Sequence, residues 1–160
     1  MIAVDSNLLI YAHRTEAPWH DGAKRAIRDL VTGGSQWAIP WPCLHEFLAI
    51  VTHPRIFKPP TPLDLALAQV DAWLESPTLV MLGEINGYWP LLRSELKESK
   101  TIGARVHDAR IATICLQHGV ESLWSSDRDF GRFSALKLVN PLLPDRISER
   151  SPRYRRGRRR

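Results

Sequence analysis

Five short apolar runs are separated by longer stretches with helical spacing, and this alternation limits the fold of the 160-residue chain more than any other feature. The runs are Ile2-Ala3-Val4, Gln36 to Pro40, Leu79 to Leu82, Ser122 to Ser125 and Leu136 to Val139. Short hairpin connections are absent and the gaps are long enough for crossovers, so the pattern predicts strands that run parallel. Between the runs, apolar residues recur at helical spacing. Ser6 to Ala12 follows the first strand directly. After Pro18, Ala23, Ala26, Ile27, Leu30 and Val31 share a face, with Gly33-Gly34 as the stop. Pro42 suits the first turn of a helix carrying Leu44, Phe47, Leu48 and Val51. Thr61-Pro62 reads as N-cap and first turn of a helix to about Glu75 with Leu65, Ala68 and Ala72 along one face. Residues 86–100 would bury Trp89, Leu92 and Leu96, with Pro90 in the first turn. Residues 106–118 would bury Ile111, Ala112 and Cys115 before Gly119. The expectation is an α/β fold: a central, parallel, twisted sheet of four to five strands with helices on both faces.

Acids sit at conspicuous places in this scheme. Asp5 stands where the first strand hands over to a helix, and in open parallel sheets ligands collect at the carboxyl ends of strands. Asp108 falls three and four residues before Ile111 and Ala112, on the apolar side of its helix. A carboxylate there must be protonated, paired or ligated. Glu46 borders the apolar face set by Cys43, Ala49 and Ile50, and Asp127 and Asp129 follow the fourth strand. Several acids converging on one crevice need a cation, and an oxygen-rich set favours Mg²⁺ or Mn²⁺. The six histidines show no HExxH pairing, which counts against zinc hydrolysis. GxSxG, Walker A and GxGxxG patterns are also absent, against serine hydrolase, nucleoside-triphosphatase and dinucleotide-binding readings.

Length supports one domain with a proper core. No apolar run approaches the ~18 residues of a membrane span, the first residues lack the pattern of a secretory signal, and the two cysteines have no CxxC spacing. The expectation is a cytoplasmic protein. Its net charge of +5 is unevenly spread: residues 146–160 hold eight of the 22 basic residues and one of the 17 acids, a local +7 that leaves the rest at −2. The domain reading is therefore 1–143 for the folded unit and 144–160 for an Arg-rich tail expected to be disordered, able to hold RNA phosphates or to remain a solvated tail.

Four segments together resemble a PIN domain and, more narrowly, the VapC toxins of type II toxin-antitoxin modules: Val4-Asp5-Ser6-Asn7-Leu8-Leu9-Ile10-Tyr11-Ala12, Leu44-His45-Glu46-Phe47, His107-Asp108-Ala109-Arg110-Ile111-Ala112 and Ser125-Ser126-Asp127-Arg128-Asp129-Phe130. The resemblance covers residues 1 to about 143 and implies a metal-dependent endoribonuclease that hydrolyses RNA phosphodiesters with a metal-activated water. It makes Asp5, Glu46, Asp108 and Asp127 the catalytic acids. The metal ligands would come from Asp5, Asp108, Asp127 and Asp129, with the choice between Asp127 and Asp129 for the fourth place left open. Asn7 and Ser126 match the polar positions that orient acids or water, and Arg110 and Arg128 are candidate RNA contacts. A VapB-like antitoxin and a homodimer are the partners implied, with the helices around Ala23 to Val31 and Leu65 to Leu74, near Trp19 and Trp73, as a docking groove for the antitoxin. A catalytically silent PIN-like module that binds RNA or protein is the alternative. A phospho-accepting receiver domain would need a partner lysine that is not evident, and Asn7 stands where a DxDxT phosphatase needs its second acid.

Overall fold

The computed structural model describes residues 1–143, so the Arg-rich segment 144–160 lies outside the described residues. The five apolar runs form strands β1 (Ile2–Val4), β2 (Trp37–Pro40), β3 (Leu79–Leu82), β4 (Ser122–Trp124) and β5 (Leu138–Val139). All neighbours pair in parallel, in the order β3-β2-β1-β4-β5. The helices between them are α1 (Ser6–His13), α2 (His20–Thr32), α3 (Trp41–Val51), α4 (Leu63–Leu74), α5 (Tyr88–Glu98) and α6 (Val106–Gln117). A five-stranded parallel sheet with flanking helices is the α/β architecture expected from the sequence.

Strand order decides where a site can form. From β1 to β3 the chain moves toward one edge; it then returns past β1 to lay down β4 and β5. Right-handed crossovers therefore carry α1 to α4 over one face and α5 and α6 over the other. The reversal opens a crevice at the carboxyl ends of β1 and β4. Central strands covered on both faces must be apolar throughout, and β2 has all four residues buried. Trp37, Phe47, Phe130 and Phe133 are the largest fully buried side chains. Phe47 meets Trp73 of α4 edge to face, ring centroids 4.8 Å apart. Gly119, with φ +62°, ends α6 in a conformation that a side chain would strain.

Two helix faces differ from expectation. In α4 the buried residues are Ala66, Val70 and Trp73, whereas Leu65, Ala68 and Ala72 are exposed. Leu63, Leu65, Leu67 and Leu74 also face outward, so the helix is apolar on more than one side and packing against Phe47 selects the stripe. Its N-cap is Pro62 rather than Thr61; Thr61 is buried, donating its N–H to the Val51 carbonyl at 2.8 Å. In α5, Leu92 is buried but Trp89 is 63% exposed. Cys43 and Cys115 are free, buried thiols, as their helical positions predict.

Candidate active site

Asp5 ends β1 and caps α1. Its backbone N–H donates to the Trp124 carbonyl at 3.0 Å, and its Oδ1 accepts the Ser6 N–H at 2.8 Å. The register Ala3 beside Leu123 and Val4 beside Trp124 brings Asp5 next to Ser125 one residue later. Ser125 is itself fixed, donating its N–H to the Val139 carbonyl at 3.0 Å. Consecutive residues alternate faces, so two residues level with one another on adjacent strands project to the same side. The Ser125 hydroxyl donates to Asp5 Oδ2 at 2.7 Å and accepts from Asn7 Nδ2 at 2.8 Å and from the Asp127 N–H at 2.9 Å. Asn7 Nδ2 also donates to Asp5 Oδ2 at 2.7 Å. Together, Asn7 and Ser125 hold one oxygen of Asp5 in place.

Asp5 is 3% exposed, and burial pushes its carboxyl up to about 6. The hydrogen bonds from Ser125 and Ser6 oppose that rise, and the charge of Glu46 adds to it. Cys43 Sγ lies 3.6 Å from Asp5 Oδ1 and supplies a weak donor. Glu46, in the middle of α3, is exposed yet anchored: the Ser6 hydroxyl donates to its Oε2 at 2.6 Å. Asp108, in the first turn of α6, is partly exposed and also held above the usual carboxylate range. Burial is its largest cause, followed by the charges of Asp127, Glu46 and Asp129.

Asp5, Glu46, Asp108 and Asp127 line one cavity of about 160 Å³ whose apolar wall is Ile10, Ile50, Ile111 and Phe130. Acids that belong to distant parts of the sequence thus converge at the β1/β4 crevice. Asp127 caps the 3-10 turn Arg128–Arg132 through its Oδ1, which accepts the Asp129 N–H at 2.8 Å. Asp129 is turned to two arginines instead, 3.3 Å from Arg105 and 3.6 Å from Arg132, and does not line the cavity. Ser126 contributes its backbone N–H, donated to Asn7 Oδ1 at 3.3 Å, while the orienting hydroxyl belongs to Ser125. Arg110 is paired with Glu84 at 2.5 Å, and Arg128 is exposed.

Ser125 and Ser6 are the polar partners that motif reading missed. The signal for Ser125 was strand parity, because it lies one step past Trp124 as Asp5 lies one step past Val4. Ser6 carried no comparable signal, since its partner Glu46 is 40 residues away. Among the described residues, no group of three or more His, Cys, Asp or Glu side chains is arranged to hold an ion directly, and no helix is long and apolar enough to cross a membrane.

A parallel α/β sheet with an acidic cavity at its switch point is the class that fold and site define. The PIN domain family model matches residues 2–136, and the chain belongs to that family. It is similar to ribonuclease VapC33 of Mycobacterium tuberculosis, 33% identical over 142 residues that span 89% of this chain and 99% of the relative. Ribonuclease VapC48 of the same organism is 30% identical over 137 residues, spanning 86% and 94%. The fold is shared with VapBC2 from Rickettsia felis bound to a promoter DNA fragment, at TM-score 0.63 and 22% identity over 88% of this chain and 98% of that one. It is shared also with FitAB bound to a DNA fragment, at TM-score 0.67 and 14% identity over 92% and 99%.

Proposed function

We propose that the chain is a divalent-metal-dependent endoribonuclease, the toxin of a toxin-antitoxin pair acting in the cytoplasm. One observation carries the reading: Asp5, Glu46, Asp108 and Asp127 line a single cavity. Burial and mutual repulsion raise the pKa of Asp5 and Asp108, and a hard cation bound between them would offset both causes. The donor set is all oxygen, which fits Mg²⁺ or Mn²⁺ with water completing the coordination. When bound, the ion supplies Lewis acidity at the phosphodiester and lowers the pKa of water.

The chain's own residues orient and screen. Asn7 and Ser125 fix Asp5, Ser6 fixes Glu46, and the Ile10, Ile50, Ile111 and Phe130 wall lowers the local dielectric so that charge in the cavity acts strongly. Asp129 steadies Arg105 and Arg132 beside the acids, and with Arg128 these form a basic rim suited to the backbone phosphates of RNA. The nature of the relatives, named ribonucleases, supports RNA as the substrate.

A VapB-like antitoxin is the expected partner, in keeping with the VapBC complex among the structural neighbours. Its docking site is the groove between α2 and α4, a cavity of about 240 Å³ bounded by Ile27, Val31 and Trp73, next to the outward leucines of α4. The exposed Ile85, Trp89 and Ile102 suit cover by a second copy in a homodimer. Purified protein incubated with RNA tests the enzymatic reading. Cleavage should need Mg²⁺ or Mn²⁺, stop with EDTA and fall at least 100-fold in Asp108→Asn. Cleavage that persists in EDTA would overturn it.

A further inference from the structure

The two catalytic helices carry a second wall that the metal chemistry does not use. Beside the acidic cavity lies another, of about 420 Å³, and Glu46 and Asp108 line both. The second cavity is bounded by His45, His107, Arg110, Pro42 and Ile111. His45 immediately precedes Glu46 on α3, and His107 immediately precedes Asp108 on α6, and both histidines line the cavity that Asp5 does not. The His45 ring is backed by Trp41, with centroids 6.0 Å apart and planes inclined by 33°. Arg110, which lines this cavity, donates its Nε–H to Glu84 Oε1 at 2.5 Å, which anchors its guanidinium.

We propose that this second cavity is a nucleobase subsite, occupied by the base next to the scissile phosphodiester and setting sequence preference. The inference rests on the ribonuclease reading, whose substrate it refines. Two imidazoles, one of them beside the Trp41 indole, a guanidinium anchored by Glu84 and apolar Pro42 and Ile111 walls offer stacking faces and edge donors together, the combination that binds unstacked RNA bases. A volume of about 420 Å³ is within the range of small-ligand sites and exceeds the needs of an ion. Because Glu46 and Asp108 belong to both cavities, a phosphodiester at the acids leaves its neighbouring nucleoside at the mouth of this one.

Two measurements on the full chain test the subsite. Short RNA tetranucleotides are titrated in EDTA, where the ribonuclease reading expects no cleavage, against wild type, His45→Ala and His107→Ala, with one position varied through the four bases. End-mapping of cleaved RNA with Mn²⁺ gives base preference at the cut site for the same proteins. Both histidines are exposed, so the substitutions leave the fold intact. Wild type should discriminate among bases at least fivefold at one position, and each variant should reduce that discrimination toward unity. Discrimination that is absent in wild type, or equal in wild type and both variants, overturns the subsite. If wild type binds with base discrimination that the variants lose but cuts no RNA, the subsite stands and the nuclease reading falls. If wild type cuts RNA with a preference unchanged by either substitution, the subsite alone falls.

Discussion

Ser125 donates to Asp5 and accepts from Asn7 and Asp127, so one hydroxyl ties together three residues of the acidic cavity. Ser125→Ala leaves two part-buried donors and the buried Asp5 acceptor with one partner fewer and should lower unfolding free energy by about 1–3 kcal/mol. It should also weaken Mn²⁺ binding roughly 10-fold or more, as loss of a group orienting a ligand does. Urea titration and calorimetry check the two effects. Asp5 gives a pH signature. Its carboxyl rises from 3.8 in the unfolded chain to about 6 when folded, so the folded protein holds this proton more tightly. The corresponding stability is fully present below pH 4 and is lost as pH rises through 6, on the order of 3 kcal/mol. In EDTA, the urea midpoint of wild type should therefore fall more steeply between pH 4 and 7 than that of Asp5→Asn, and equal slopes would exclude the effect. Asp108 and Glu46 stood out in the sequence because they sit on or beside apolar helix faces, and Asp5 and Asp127 because they stand just after apolar strands. Their partners were less legible, because hydroxyls such as Ser6 and Ser125 are common at helix starts and turns and gain meaning only from what lies opposite.

Helix α4 shows where periodicity stops being informative. Its sequence offers apolar residues around most of its circumference, and the buried stripe Ala66, Val70 and Trp73 is chosen by contact with Phe47 of α3, a residue distant in sequence. Trp73→Ala should reduce stability by about 3–5 kcal/mol. Leu65→Ser, at a position that spacing alone would have placed inside, should change it by less than about 0.5 kcal/mol. Denaturant unfolding of both variants decides between the two faces. By contrast, α6 buries the three residues that spacing indicates, Ile111, Ala112 and Cys115, and Gly119 closes it with a positive φ, although Thr113 and Ile114 are buried as well because the helix packs on more than one side. Trp89 on α5 illustrates the opposite limit: helical spacing identifies a stripe but does not say whether its first member reaches the core.

For the whole molecule, the parallel class could be read from the gaps between apolar runs, whereas strand order could not. The order β3-β2-β1-β4-β5 puts β1 beside β4 and thereby joins Asp5 to Ser125 and Asp127 across 120 residues. On the proposed function these acids hold a cation, so Mn²⁺ at about 100 times its Kd should stabilise the protein by about 2.7 kcal/mol. The gain should appear at pH 7 and vanish near pH 4, where Asp5 is protonated, and thermal melts at the two pH values measure it. The most direct test of the acidic centre is an equilibrium Mn²⁺ titration at pH 7.5 of wild type beside Asp5→Asn, Glu46→Gln, Asp108→Asn and Asp127→Asn. A saturable site in wild type that each substitution weakens at least 10-fold is the predicted result. Binding unaffected by all four substitutions would contradict a cation held by these acids.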